Sequence, residues 1–162
     1  MIIFIADAFC EQYVGGAELT TEAISSSCLL PSAKVLSQQV TVDVLKQNKN
    51  NFFVFGNFQN LSADCILYAL KNLNYTVLEY DYKYCRFRSP GKHIEAEGSC
   101  DCSTTRRGKL VSLFYHNANK MWWMSSNQKK NYKEVFPFLR GDVLSSVFSG
   151  TTLDYIESLD LS

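Results

Sequence analysis

Short apolar runs alternate with stretches of helical periodicity along almost the whole sequence. The apolar runs predict strands at residues 2–6, 52–56, 75–80, 121–125 and 143–148, with a weaker strand at 34–37. The spacing of apolar residues predicts helices at 18–26, 41–47, 63–73, 109–117, 126–136 and 151–159. A parallel strand pair needs a crossover that returns along the sheet. The alternation therefore predicts a Rossmann-like α/β fold, with a mostly parallel sheet and helices on both faces.

Length and charge limit what kind of protein this is. The 162 residues have room for one domain of ordinary size, so we expect a single domain over 1–162. Sixteen basic and sixteen acidic residues give zero formal charge. The chain therefore lacks the net positive charge that is typical of a nucleic-acid-binding protein. The longest apolar runs are far shorter than the roughly 20 residues of a membrane span, and no basic segment precedes the apolar N-terminus. We expect a cytoplasmic protein with no membrane span.

A loop with two adjacent glycines follows the first predicted strand. It runs from Asp7 to Gly15 and Gly16 and enters a helix at once, with Glu18 in the first turn. Ligands of open parallel sheets bind beyond the carboxyl ends of the strands, and a helix N-terminus offers N–H groups to a phosphate or carboxylate. The spacing is neither a dinucleotide fingerprint nor a P-loop. A plain tight turn into the helix is the alternative interpretation.

The segment Val14-Gly15-Gly16-Ala17-Glu18 resembles the Gly-Gly-Ala-Glu turn in the N-terminal half of GT-B-fold glycosyltransferases. Blocks at 53–58, 124–128 and 144–148 are similar to the same domain, so the resemblance spans most of the chain. It implies an acceptor-binding domain of a nucleotide-sugar-dependent glycosyltransferase, in which Gly15 and Gly16 line the donor phosphates and Glu18 opens the helix. The C-terminal donor domain of that family is missing from the chain. We therefore expect a truncated or stand-alone half that is inactive by itself.

Acid–base chemistry in such a domain needs titratable groups near the strand ends. Asp7, Glu11 and Asp81 each fall in a segment near the carboxyl end of a predicted strand, and Asp7 and Asp81 are taken as the catalytic candidates. Many members of the GT-B family carry a histidine after a middle strand, whereas His116 here falls within a predicted helix. A function from a different class is a non-catalytic Rossmann-like binding domain that contacts a partner protein through its Cys/His loop.

Residues 81–107 interrupt the alternation with a polar, basic segment that we expect to be a long loop. It contains Cys85, His93, Cys100 and Cys102, which suit a tetrahedral structural zinc ion that would supply folding free energy to the loop. An iron–sulfur cluster could use the same ligands. Most structural zinc sites have C-x(2–4)-C pairs, however, so spacing alone favours thiols without a metal, or a disulfide. The segment also carries a local excess of basic residues, which are expected to form a solvated surface: Lys83, Arg86, Arg88, Lys92, Arg106 and Arg107. The alternative is that they receive an anionic acceptor or the donor diphosphate.

Overall fold

A computed structural model describes residues 1–159 as a three-layer α/β fold. Its six strands are all parallel, in the spatial order β2-β1-β3-β4-β5-β6. The strands are β1 (Ile2–Ala6), β2 (Ser32–Leu36), β3 (Phe52–Phe55), β4 (Asn74–Glu79), β5 (Lys120–Trp123) and β6 (Asp142–Val143). The helices are α1 (Gly16–Ser26), α2 (Val42–Gln47), α3 (Ala63–Asn72), α4 (Pro90–Glu97), α5 (Arg106–Asn117), α6 (Ser126–Val135) and α7 (Gly150–Ser158). The predicted fold class is confirmed. None of these helices is long and apolar enough to cross a membrane.

Both faces of the sheet are covered because successive strand residues feed two separate apolar clusters. Ile3 and Ile5 of β1 belong to the larger cluster, which also takes in side chains from α2, α3, α5 and α6. Phe4 and Ala6 belong to the smaller cluster on the opposite face, against which Ile24 of α1 packs. The sequence therefore reads as continuous apolar runs in the strands rather than as alternation, as expected for a sheet buried on both sides.

The strand order places a topological switch point between β1 and β3. The chain leaves β1 toward β2 on one side and later adds β3 on the other side, so α1 covers one face and α2 covers the other. The loops that follow β1 and β3 meet at the carboxyl edge of the sheet. There the Asp7 carboxylate accepts hydrogen bonds from the backbone N–H groups of Gln59 at 2.8 Å and Asn60 at 3.1 Å. Doubly wound folds bind ligands at this place.

Two predicted elements differ from the structure. The strand predicted at 143–148 ends at Val143, although the N–H of Leu144 still bonds the carbonyl of Trp123 at 2.9 Å. Ser145 then adopts a φ of 68°, which turns the chain out of the sheet. The segment 81–107 is not one long loop, because it contains α4 and the first two residues of α5.

Local signals explain why α4 forms. Ser89 caps its N-terminus by accepting a hydrogen bond from the Lys92 N–H, Pro90 occupies the first turn, and Gly98 ends the helix with a φ of 80°. His93 is the buried residue of this helix. Apolar periodicity therefore gave no sign of it, whereas the Ser-Pro start and the glycine end were visible in the sequence.

Candidate metal centre and carboxyl edge of the sheet

Four side chains of the segment 81–107 converge on one point. The sulfur atoms of Cys85, Cys100 and Cys102 and a ring nitrogen of His93 all lie within 4.8 Å of one another. His93 Nδ1 is 3.5 Å from Cys85 Sγ and 3.4 Å from Cys102 Sγ, and the sulfurs of Cys85 and Cys100 are 3.8 Å apart. A disulfide would bring two sulfurs to about 2.05 Å. The cluster consists of thiols and an imidazole that could hold a metal ion.

Tight turns near the two ends of the segment 81–107 position Cys85 and Cys102. The N–H of Cys85 bonds the carbonyl of Tyr82 at 2.8 Å, and the carbonyl of Cys85 accepts from the N–H of Arg88, also at 2.8 Å. Arg88 has a φ of 55°, so this turn reverses sharply enough to point Cys85 toward α4. At the other end Cys102 begins a short 3-10 turn that runs directly into Thr105, the cap of α5.

A glycine lets the second turn pack on α5. A Cβ added at Gly108 would overlap the carbonyl oxygen of Cys102. Only a residue without a side chain permits this approach, so Gly108 allows the start of α5 to pack directly on the backbone of Cys102.

Three of the four side chains in the cluster are buried. Cys85 and His93 are each 1% exposed and Cys102 is 4% exposed, whereas Cys100 is partly exposed at the rim. Burial raises the pKa of the Cys85 thiol to about 11, and the adjacent Cys100 adds to the shift. A cation would reverse this by favouring the thiolates. With four protein ligands and no open position, such a site suits a structural ion rather than a catalytic one.

A buried ionic network lies where the segment 81–107 leaves β4. Glu79 Oε1 is 2.8 Å from Lys83 Nζ, and the Tyr115 hydroxyl donates to the other carboxylate oxygen of Glu79. Burial raises the pKa of Glu79 to about 7, although the charge of Lys83 opposes the shift. Lys83 was predicted to be solvated, which is wrong, because Glu79 supplies a buried counter-ion four residues earlier. A glutamate at the end of an apolar strand was the signal that could have revealed this pair.

The two catalytic candidates do not share a site. β3 lies between the strands that Asp7 and Asp81 follow. The Asp7 carboxylate accepts from the Ser37 hydroxyl as well as from the two backbone N–H groups of the β3 loop. Asp81 Oδ2 accepts from Arg88 Nε at 2.5 Å. These contacts tie loops together. The other oxygen of Asp81, Oδ1, is buried without a hydrogen-bond partner among residues 1–159 and lies 3.5 Å from Lys83 Nζ.

The glycine turn has an unusual helix start. Gly15 is the N-cap of α1, and no side chain caps this helix. The other six α-helices within residues 1–159 are each capped by a serine or threonine hydroxyl: Thr41, Ser62, Ser89, Thr105, Ser125 and Ser149. Orphan N–H groups therefore remain at the start of α1, next to the switch point.

Glu18 lies against this uncapped turn. It is 8% exposed, and a Cβ added at Gly15 would lie 2.7 Å from Glu18 Oε2. Its carboxylate therefore sits at the positive end of the α1 dipole. An apolar cavity flanks the turn, lined by Val14, Leu19 and four residues of α7.

Comparison with known proteins places the chain in no family. No protein-family model matches it, and neither does any curated protein or solved structure. The fold and the cluster together define a Rossmann-like α/β protein with a Cys3His group that could bind a metal ion.

Proposed function

We propose that the chain is the N-terminal domain of a cytoplasmic, nucleotide-sugar-dependent glycosyltransferase, which binds the acceptor and contacts the donor phosphates through Gly15 and Gly16. The observation that carries this proposal is the uncapped start of α1 beside the β1/β3 switch point. Unpaired N–H groups and the helix dipole attract an anion there. Transfer itself requires a donor domain, so this chain alone binds substrates without turning them over.

Glu18 influences how the donor is oriented at the glycine turn. A diphosphate bound to the N–H groups of the turn must keep away from the Glu18 carboxylate beside Gly15, because like charges repel at close range. The carboxylate is instead suited to accept hydrogen bonds from sugar hydroxyl groups. In the proposed complex, the phosphates contact the N–H groups of the turn and a sugar hydroxyl donates to Glu18.

Gly16→Val tests the phosphate contact. A Cβ at Gly16 would meet no atom within 4 Å, so the variant should fold, while the branched side chain would obstruct a ligand at the turn. The matched control is Gly150→Val, because Gly150 is likewise the first residue of a helix with open space around it. Titration calorimetry with a panel of nucleotide sugars should show at least tenfold weaker binding for Gly16→Val alone. Equal affinities in both variants would remove the turn from the site.

Glu18→Gln tests the division between sugar and phosphate. Loss of the negative charge should tighten binding of a nucleoside diphosphate. The affinity for the nucleotide sugar should fall relative to the affinity for the nucleoside diphosphate. A parallel change in both affinities would contradict the hydroxyl contact. If the unaltered chain binds no nucleotide sugar at all, the glycosyltransferase proposal fails and the non-catalytic binding domain takes its place.

We also propose that the Cys3His cluster binds one structural zinc ion. A tetrahedral zinc with bonds of about 2.3 Å to sulfur and 2.0–2.1 Å to nitrogen requires sulfur–sulfur edges of about 3.8 Å and sulfur–nitrogen edges of about 3.6 Å. The corresponding separations are 3.8 Å between Cys85 and Cys100, and 3.5 and 3.4 Å from His93 to Cys85 and Cys102. An iron–sulfur cluster would hold its ligands farther apart, because several ions lie between them.

Elemental analysis of protein purified under reducing conditions tests the zinc proposal. The unaltered chain should contain one zinc per molecule, and Cys102→Ser should contain almost none. Cys65→Ser is the matched control, because Cys65 is also buried but lies outside the cluster and contacts the Val40 carbonyl. Metal-free wild-type protein, or full zinc content in Cys102→Ser, would overturn the proposal.

A further inference from the structure

The ring nitrogen of His93 that faces away from the sulfurs has partners of its own. His93 Nε2 lies 3.1 Å from Glu97 Oε2 and 3.1 Å from Arg86 Nη2. Arg86 also forms an ion pair with Glu97. The Phe87 ring stacks on the imidazole, with centroids 4.6 Å apart and an interplanar angle of 14°. The ring of His93 is therefore held on its flat face and at its outer edge.

These contacts select one tautomer of the histidine. A neutral imidazole carries one N–H, and the nitrogen that ligates a metal must be the other one. The Glu97 carboxylate can only accept, so its position at Nε2 favours the proton there and leaves the Nδ1 lone pair directed at the sulfurs. Arg86 can only donate, and its Nη2 lies as close to Nε2 as the Glu97 carboxylate does. The ion pair with Glu97 gives this guanidinium an acceptor of opposite charge, so the carboxylate is the partner that we assign to the Nε2–H.

The helix makes this arrangement possible. His93 and Glu97 are one turn apart on α4, at the i and i+4 spacing that places side chains side by side. Arg86 comes from the turn that carries Cys85, on the other side of the cluster. Glu97 consequently connects the helix that supplies the imidazole to the turn that supplies a thiol.

We propose that Glu97 is a positioning residue of the metal centre, which accepts the Nε2–H of His93 and fixes Nδ1 as the ligand atom, and that Arg86 holds Glu97 in place. This inference rests on the proposed zinc site. Carboxylate partners of metal-bound histidines typically contribute 10–100-fold to metal affinity. Because Glu97 is 42% exposed, its replacement should leave the fold intact.

Metal affinity of Glu97→Gln tests the inference in the full chain. We expect zinc binding, measured by competition with a chromophoric chelator, to weaken 10–100-fold. The visible bands of the Co²⁺-loaded protein should shift as well, because a loosened imidazole changes the ligand field. Glu95→Gln is the matched control, since Glu95 is exposed on the same helix and makes no ion pair within residues 1–159. The zinc affinity of Glu95→Gln should stay within twofold of that of the unaltered chain. Its Co²⁺ spectrum should not shift.

The possible outcomes distinguish failure of the zinc site from failure of the role of Glu97. A wild-type chain that binds neither Zn²⁺ nor Co²⁺ overturns the zinc site and this inference together. A wild-type chain that binds both ions, with Glu97→Gln indistinguishable from Glu95→Gln, overturns the role of Glu97 alone. Arg86→Gln supplies a second measurement, and we expect it to weaken binding less than Glu97→Gln does. A larger loss with Arg86→Gln would assign the positioning role to the arginine instead.

Discussion

The ammonium group of Lys83 lies 2.8 Å from the carboxylate of Glu79, and both side chains are completely buried. The pair links the end of β4 to the start of the segment 81–107, which carries the Cys3His cluster. Lys83→Met should therefore leave Glu79 buried without its cation, and breaking such a pair typically costs about 3–5 kcal/mol. Urea unfolding should show this loss. Lys46→Met, which removes the exposed partner of Asp43, should change the free energy of unfolding by less than about 1 kcal/mol.

The cost of Lys83→Met should depend on pH. Burial raises the pKa of Glu79 from 4.5 to about 7, so the folded state holds this proton more tightly than the unfolded state does. The associated stability is present below pH 4.5 and is lost as pH rises through about 7. Without the lysine charge, the pKa rises further. The difference between wild type and Lys83→Met should therefore be larger at pH 8 than at pH 5, and a difference that shrinks with pH would contradict this pairing.

Gly108→Ala should disturb the metal centre from the start of α5. The new Cβ would overlap the backbone of Cys102, which cannot rotate away as a side chain could. We expect a lower melting temperature and weaker zinc binding. Gly91→Ala is the control, because Gly91 lies in α4 with open space around it, and alanine there should stabilise the helix by about 0.5–1 kcal/mol. Equal effects of both substitutions would show that the approach of Gly108 to Cys102 is not limiting.

Asp7→Asn should act on stability. The Asp7 carboxylate accepts from Ser37 and from the N–H groups of Gln59 and Asn60, and an asparagine can replace only part of this set. Charge-assisted hydrogen bonds of this kind contribute about 1.5–3 kcal/mol each. We expect a comparable loss in the free energy of unfolding, with faster hydrogen exchange in the loop after β3. An unchanged stability would show that these hydrogen bonds of Asp7 contribute little to the folded state.

Chelation should loosen one part of the chain more than the rest. If the segment is held by the metal, hydrogen exchange after treatment with a chelator should accelerate in residues 85–105 and change little in β1 and β3. Saturation at a thousandfold excess over the dissociation constant corresponds to about 4 kcal/mol of stabilisation. Uniform exchange over the whole chain, with or without chelator, would show that the segment is held by packing alone.

Much of the fold could be predicted because strands that are buried on both faces consist of continuous apolar runs. The apolar run at residues 2–6 coincides with β1, since both faces of a central strand contact helices. The run at 143–148 is interrupted by Ser145 and Ser146 and lies at the sheet edge, where one backbone turn at Ser145 is enough to end pairing. Its remaining apolar residues were not sufficient to predict a full strand.

The candidate site was only partly accessible to sequence reasoning. The ligand types at Cys85, His93, Cys100 and Cys102 were visible, but their spacing favoured thiols without a metal. The spacing does not reveal that α4 forms between Cys85 and Cys100. This helix places His93 beside the cysteines and Glu97 beside His93. The pairing of Lys83 with Glu79 depends likewise on burial that arises only when α5 and α6 cover β4.

The four residues of the Cys3His cluster all lie within the longest crossover of the sheet, which runs from residue 80 to residue 119 between β4 and β5. The entropy lost when two strands come together grows with the logarithm of the chain length between them. A cross-link between residues 85 and 102 bypasses close to half of this crossover. The effective separation of β4 and β5 is then nearer to that of the other neighbouring strands, so the ion would act on the rate of sheet assembly as well as on the finished structure.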